Sequence, residues 1–351
     1  MTRTWSPLFE PVLTKLEADG VRYFGCQDVR VEPVRQFDRP FSTVLQVRVA
    51  DRQGSQGAFI KIFKPRVDTP AQVTETRQHV RSDFDTMCRI QGALARSPQL
   101  EAVRPIACFP EDLALVTGEA AGTTLASMLS GVAAGWGRTA ALDDALQALR
   151  QIGAWLRAVQ SAIPQQHDIE LSRVRTYLGK RLDDLQSMGP AGLSHVGRQS
   201  LERYQDALIE AIGRDRVPAV WIHADFCPDN ILVHDGRVAV LDFVMAKAGT
   251  LYHDLAHLYV HIGVIAAKPW CRQSIVQTLQ RQLLGAFEAG LAPERPLFAL
   301  ALYQHVLCQL LFLQDGGGGR VARLYAARVQ ARHRRWLSEV AGLDRRDWAA
   351  A

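Results

Sequence analysis

Two carboxylates and an amide stand in series at Asp225, Asn230 and Asp242, within His223-Ala224-Asp225-Phe226-Cys227-Pro228-Asp229-Asn230 and the following Val240-Leu241-Asp242-Phe243. That order of oxygen-bearing side chains suits phosphoryl transfer from ATP. One carboxylate, Asp225, accepts or orients the proton of an attacking hydroxyl. An amide oxygen and a second carboxylate, Asn230 and Asp242, hold Mg²⁺ on the phosphates, and both are hard donors of the kind this ion prefers.

Such a set needs elements to carry it, and the chain changes character along its length. The first third alternates apolar and polar residues. Thr43–Val49 and Ala58–Phe63 read as a β-hairpin around the turn Asp51–Gly57, and Arg104–Phe109 and Leu113–Thr117 read as two further strands. Between these pairs the spacing of Phe84, Met87, Ile90 and Leu94 predicts a helix from Pro70 to about Ala95. After Gly122 the pattern becomes helical over Leu142–Ile163, Leu171–Met188 and Gln199–Ile212. Val220–Ile222 leads into the motif, Ile231–Val233 and Arg237–Leu241 form a hairpin around His234-Asp235-Gly236, and the chain from Tyr252 is helical with a break at Asp315-Gly316-Gly317-Gly318-Gly319. The expected class is α+β, with a small sheet-rich N-terminal lobe over 1–118 and a large helical lobe over 119–351.

The motif resembles the protein kinase pattern H-R-D-x-x-x-x-N followed by D-F-G, written here as H-A-D-x-x-x-x-N and D-F-V. Over about Arg39 to Tyr259 the chain is similar to the aminoglycoside phosphotransferase and choline kinase branch of the kinase-like superfamily. That resemblance implies a bilobal fold with the nucleotide in the cleft between the lobes. Lys61, in Ala58-Phe59-Ile60-Lys61, takes the place of the strand lysine that neutralises the α- and β-phosphates, with Lys64 as competitor. Asp83 stands where the helix glutamate that pairs this lysine is expected, with Asp85 and Glu75 as alternatives. The backbone of Gly118, Glu119 and Ala120 would hold the adenine edge, and Ser42, in Arg39-Pro40-Phe41-Ser42-Thr43, stands where a glycine-rich loop would contact phosphates. Asp254 resembles the buried aspartate that accepts main-chain N–H groups of the catalytic loop, and His223 would prop that loop. Asp229 reads equally as a supporting or a solvated residue.

Ala224 replaces the arginine that reads a phosphorylated activation loop, and the interval from Asp242 to Asp254 is too short for a peptide platform. The expected acceptor is therefore a small hydroxyl compound such as a sugar, amino alcohol or aminoglycoside. A net charge of +5 without interleaved aromatics on a recognisable module gives no reason to expect nucleic acid. Scattered cysteines, the absence of a signal-like N-terminus over Met1–Asp19 and the lack of a long apolar run point to a reduced, cytoplasmic protein. Arg320, Arg323, Arg328, Arg332, Arg334 and Arg335 read as a solvated helix face, or as a contact for an anionic surface or acceptor. Two other readings stand beside the kinase: an inactive kinase-like binding protein, and a metal-dependent hydrolase using His253 and His257, with His261 one turn on.

Overall fold

The computed structural model describes residues 5–52, 54–67, 69–135, 139–188, 192–313, 319–344 and 347–348. The glycines 316–318 of the expected helix break lie outside these residues, as do Gln53 of the expected turn and the first four residues of the N-terminal stretch. The fold is α+β, sheet-rich at the N-terminal end and mostly helical beyond it. The chain divides into two compact units, one of Met1–Gly122 with Leu232–Ala246, the other of Thr123–Ile231 with Lys247–Ala351.

The strands of the first unit are β1 (Arg30–Arg39), β2 (Ser42–Ala50), β3 (Ser55–Phe63), β4 (Leu100–Ala102), β5 (Pro105–Phe109) and β6 (Ala114–Gly118). Five of them form one antiparallel sheet in the order β1-β2-β3-β6-β5. Alternation along β2 and β3 sends Leu45, Val47, Val49, Ala58, Ile60 and Ile62 to one face, where Phe9, Val12 and Leu16 cover them. Val12 and Leu16 belong to the helix Glu10–Ala18. Lys61, between Ile60 and Ile62, therefore leaves on the opposite face. The helix Pro70–Leu94 starts at Thr69, whose side chain accepts from the Gln72 amide, with Pro70 in the first turn. It buries Val80, Asp83, Met87, Ile90 and Leu94, spaced by three or four residues.

Leu232–Ala246 returns to this unit from beyond the expected boundary at 118/119. The strand Arg237–Val240 pairs in parallel with β4, from Val238 opposite Leu100 to Val240 opposite Ala102. Gly122 makes the close approach at this return. Its φ is +120°, and a Cβ there would sit 2.5 Å from the Val233 carbonyl oxygen.

The second unit is built of helices. Pro296–Phe312 is buried on nearly every side, from Phe298 to Leu310, which makes it a central element. Thr139–Ala162 packs on Gln273–Phe287, and a Cβ on Gly153 would lie 2.7 Å from the Ala286 carbonyl carbon. Val220–Ile222 pairs antiparallel with Lys247–Gly249 and enters the segment that carries Asp225. Among the described residues no helix is long and apolar enough to cross a membrane.

Candidate functional site

The loop that follows Val220–Ile222 is held from below. His223 is wholly buried, and its ring meets Trp221 and Phe226 edge-on, with Phe226 stacked on Trp155 at 5.6 Å. Ala224 takes φ +63°, a left-handed conformation that a residue with a Cβ adopts only when its surroundings enforce it. What enforces it is Asp254. The His223 amide donates to Asp254 Oδ2 at 2.7 Å and the Ala224 amide donates to Oδ1 at 2.9 Å. Consecutive N–H groups thus converge on one carboxylate, as in other backbone anion sites. Asp254 stands in the first turn of the helix His253–Val264, where the helix dipole also favours a negative charge.

Burial alone would raise the Asp254 carboxyl, yet it lies below the usual range, because His253, His223 and the His223 amide favour the charged form. His253 Nδ1 is 3.6 Å from Asp254 Oδ1, beyond hydrogen-bond length, so its share is electrostatic.

Above this base the loop presents Asp225 and Asn230. Asn230 Nδ2 donates to the Asp225 carbonyl and to Asp225 Oδ2, both at 2.9 Å. With its NH₂ turned toward Asp225, the amide offers Oδ1 as the group able to meet a cation. Asp225 N–H donates to His223 Nδ1 at 3.3 Å, which gives the buried imidazole a positioning role.

In the first unit Lys61 Nζ donates to Asp242 Oδ1 at 2.8 Å, and it also lies 4.9 Å over the Phe63 ring. Asp242 itself has φ +59°. Asp83 is buried, and its Oδ1 has no hydrogen-bond partner. Burial pushes its carboxyl up to about 7; Lys61 lowers it and Asp242 raises it. Lys61 therefore makes its ion pair with Asp242, while Asp83 acts on both through the field. Glu75 turns to Gln72 and His79, and Asp85 bears on Cys88 and Cys108.

The other expected nucleotide contacts are engaged within the sheet. Ser42 is buried opposite Phe63 at the start of β2. The Glu119 amide donates to the Gly57 carbonyl at 2.9 Å and its carboxylate accepts from Gln46 at 3.0 Å, with half-buried Ala120 following. Lys64 reaches the Arg39 carbonyl and Asp38.

The histidines that suggested a metal helix meet one another instead. His257 and His261 approach at 3.1 Å between Nε2 atoms, His305 stacks on His257 at 4.5 Å, and His253 meets His305 edge-on. Among the described residues no group of three or more His, Cys, Asp or Glu side chains could hold a metal. Sequence reasoning did not find the Lys61–Asp242 pair, which spans 181 positions, nor the insertion of His305. The only local signal for Asp242 as a partner was its place after an apolar strand.

Residues 76–297, more than half of the chain, match the model of the phosphotransferase enzyme family. A choline/ethanolamine kinase family protein from Mesorhizobium loti has a similar structure, with a TM-score of 0.54 at 16% identity, covering 95% of each chain. A glucosamine kinase in complex with glucosamine, ADP and inorganic phosphate gives 0.57 at 15%, over 89% of this chain and 82% of that one. A thermostable aminoglycoside phosphotransferase APH(4)-Ia, in a ternary complex with AMP-PNP and hygromycin B, gives 0.52 at 16%, over 92% and 98%. No curated protein matches the sequence significantly.

Two outcomes are expected. Asp254→Asn replaces a charged acceptor of two N–H groups by one that can serve only one of them, and stability should fall by about 2–3 kcal/mol in denaturant unfolding. The second concerns acid. Burial lowers His257 to about 3, His261 and His333 to about 4, and His305 well below its ordinary value. These imidazoles bind protons only after unfolding, so stability should be lost as pH falls below about 6.5, by roughly 1–2 kcal/mol for each by pH 5. Asp83 has the opposite sign: its contribution is full below about 3.8 and is lost as pH rises through about 7. The histidines outnumber it, so the urea midpoint should drop from pH 7 to pH 5, and His261→Gln should lessen that drop.

Proposed function

Because the chain belongs to the phosphotransferase enzyme family, we propose that it transfers the γ-phosphoryl group of ATP to a hydroxyl of a small molecule, such as a sugar, an amino alcohol or an aminoglycoside. The observation that carries this reading is the built loop: Asn230 is clamped on Asp225 by two hydrogen bonds, over main chain pinned by Asp254. A solvated turn needs neither a strained Ala224 nor a buried anion beneath it. The nucleotides in the complexes of the glucosamine kinase and the aminoglycoside phosphotransferase support ATP as donor.

The donor set fits Mg²⁺. The Asn230 Oδ1 and the Asp242 carboxylate are hard oxygen ligands of the kind this ion prefers. Asn230 and Asp242 would hold the ion, which when bound neutralises phosphate charge and polarises the phosphorus for attack. Lys61 neutralises phosphate oxygens and, before the nucleotide arrives, is kept in place by Asp242. Asp225 orients the acceptor hydroxyl and takes its proton as the acceptor oxygen bonds to the γ-phosphorus. The bond from that phosphorus to the bridging oxygen breaks, and ADP leaves with its electron pair. Most of the rate then comes from positioning and fixed charge, with little covalent work by the protein.

ATP consumption should appear with at least one member of a panel of sugars, amino alcohols and aminoglycosides. Asp225→Ala should reduce it by roughly 10²–10⁴-fold with nucleotide affinity nearly unchanged. Asp242→Ala should weaken Mg²⁺-nucleotide binding in calorimetry by about tenfold or more. Turnover retained in Asp225→Ala would remove that residue from the base role.

A further inference from the structure

The arginine-rich C-terminal helix, Arg320–Ala341, is not uniform. Arg320, Arg323 and Arg328 are exposed to solvent. Arg335 is exposed as well, but it and the half-buried Arg332 line a cavity of about 270 Å³ walled by this helix and by His253–Val264, Gln273–Phe287 and Pro296–Phe312. All of its walls belong to the second unit. Tyr259, His333, Trp336 and Glu339 share the lining.

The charges in this cavity do not cancel. Among the described residues neither guanidinium has a carboxylate within 4.0 Å, and Arg332 reaches only the Gln273 amide oxygen at 3.3 Å. Arg332 is half-buried; burial, and to a lesser degree Arg335, act against its charged form, while Tyr259 and Glu339 favour it. His333 donates from Nε2 to Gln309 Oε1 at 2.6 Å and stays neutral, its basicity lowered by burial and by Arg332. Two cations thus face one rim carboxylate, Glu339. A guanidinium partly withdrawn from water favours an anionic partner that accepts its N–H fork, and the indole of Trp336 and the phenol of Tyr259 offer faces for a ring. The volume lies just below the range for drug-sized ligands, which suits one ring and one anionic group.

We propose that this cavity binds a small aromatic anion, a ring bearing a carboxylate or a phosphate monoester, with Arg332 and Arg335 on the anionic group and Trp336 and Tyr259 on the ring. The site does not depend on phosphoryl transfer, and its failure would leave the reading of Asp225 untouched. The test is calorimetry on the full, nucleotide-free chain with benzoate and phenyl phosphate, against benzyl alcohol and benzylamine as neutral and cationic counterparts. Trp336 fluorescence serves as a second readout. Both anions should bind, with the alcohol and the amine weaker by roughly tenfold or more. Arg332→Gln and Arg335→Gln should each cost about tenfold in anion affinity at unchanged circular dichroism, while Trp336→Phe keeps binding and loses the fluorescence change. Three results would overturn the proposal: no anion binding at millimolar concentration, equal affinity for benzylamine, or unchanged affinity in both arginine variants.

Discussion

A carboxylate sealed from water costs several kcal/mol unless protein groups replace its hydration. Asp254 meets that demand with the amides of His223 and Ala224 and with the start of its own helix. The same bonds set the path of the chain into Asp225. Ala224 is held in the left-handed region, the His223 ring is buried beneath, and the next residues rise to present Asp225 and Asn230. The cost of burying one charge therefore stabilises a conformation that the local sequence would not choose. Under the proposed function, in which Asp225 is the base, the carboxylate needs this kind of support, since small displacements of a reacting group cost large factors in rate.

The sheet unit solves a related problem on its own. Alternation along β3 buries Ile60 and Ile62 and sends Lys61 to the other face, where Asp242 meets it after the return of Leu232–Ala246. Asp83 lies buried on its helix with a carboxyl that gains a proton near neutrality. A helix acid shorter than glutamate by one methylene thus contributes to the field around Lys61 without taking the ion pair. Glu119 is tied by hydrogen bonds to Gly57 on β3 and Gln46 on β2, and Ser42 is buried at the start of β2, so their part in nucleotide binding rests on the functional reading and not on the local geometry.

Much of this was legible in the chain. Period-two alternation marked β2 to within a residue at each end and the last six residues of β3, and the helix was expected from Pro70, where it starts. The place of Asp254 beneath the loop followed from a resemblance that the hydrogen bonds bear out. What escaped has physical reasons. β1 carries Pro33, a register shift between Pro33 and Arg35, and charges on both faces, so no alternation announces it. The return of Leu232–Ala246 depends on three-residue pairing with β4, which is too short to read. The Lys61–Asp242 pair and the contacts of His305 with His253 and His257 join residues distant in sequence. Of a run of arginines read as one solvated face, Arg332 and Arg335 line a cavity, Arg335 while still exposed, because position on the helix decides it.

The claim on which the rest stands is that Asp254 locks the main chain leading into Asp225. Amide hydrogen exchange followed by NMR measures that lock at the two bonds themselves. The His223 and Ala224 amides should exchange as slowly as those in the middle of His253–Val264. Exchange at the rate of an open loop, with the neighbouring helix still protected, would contradict the account.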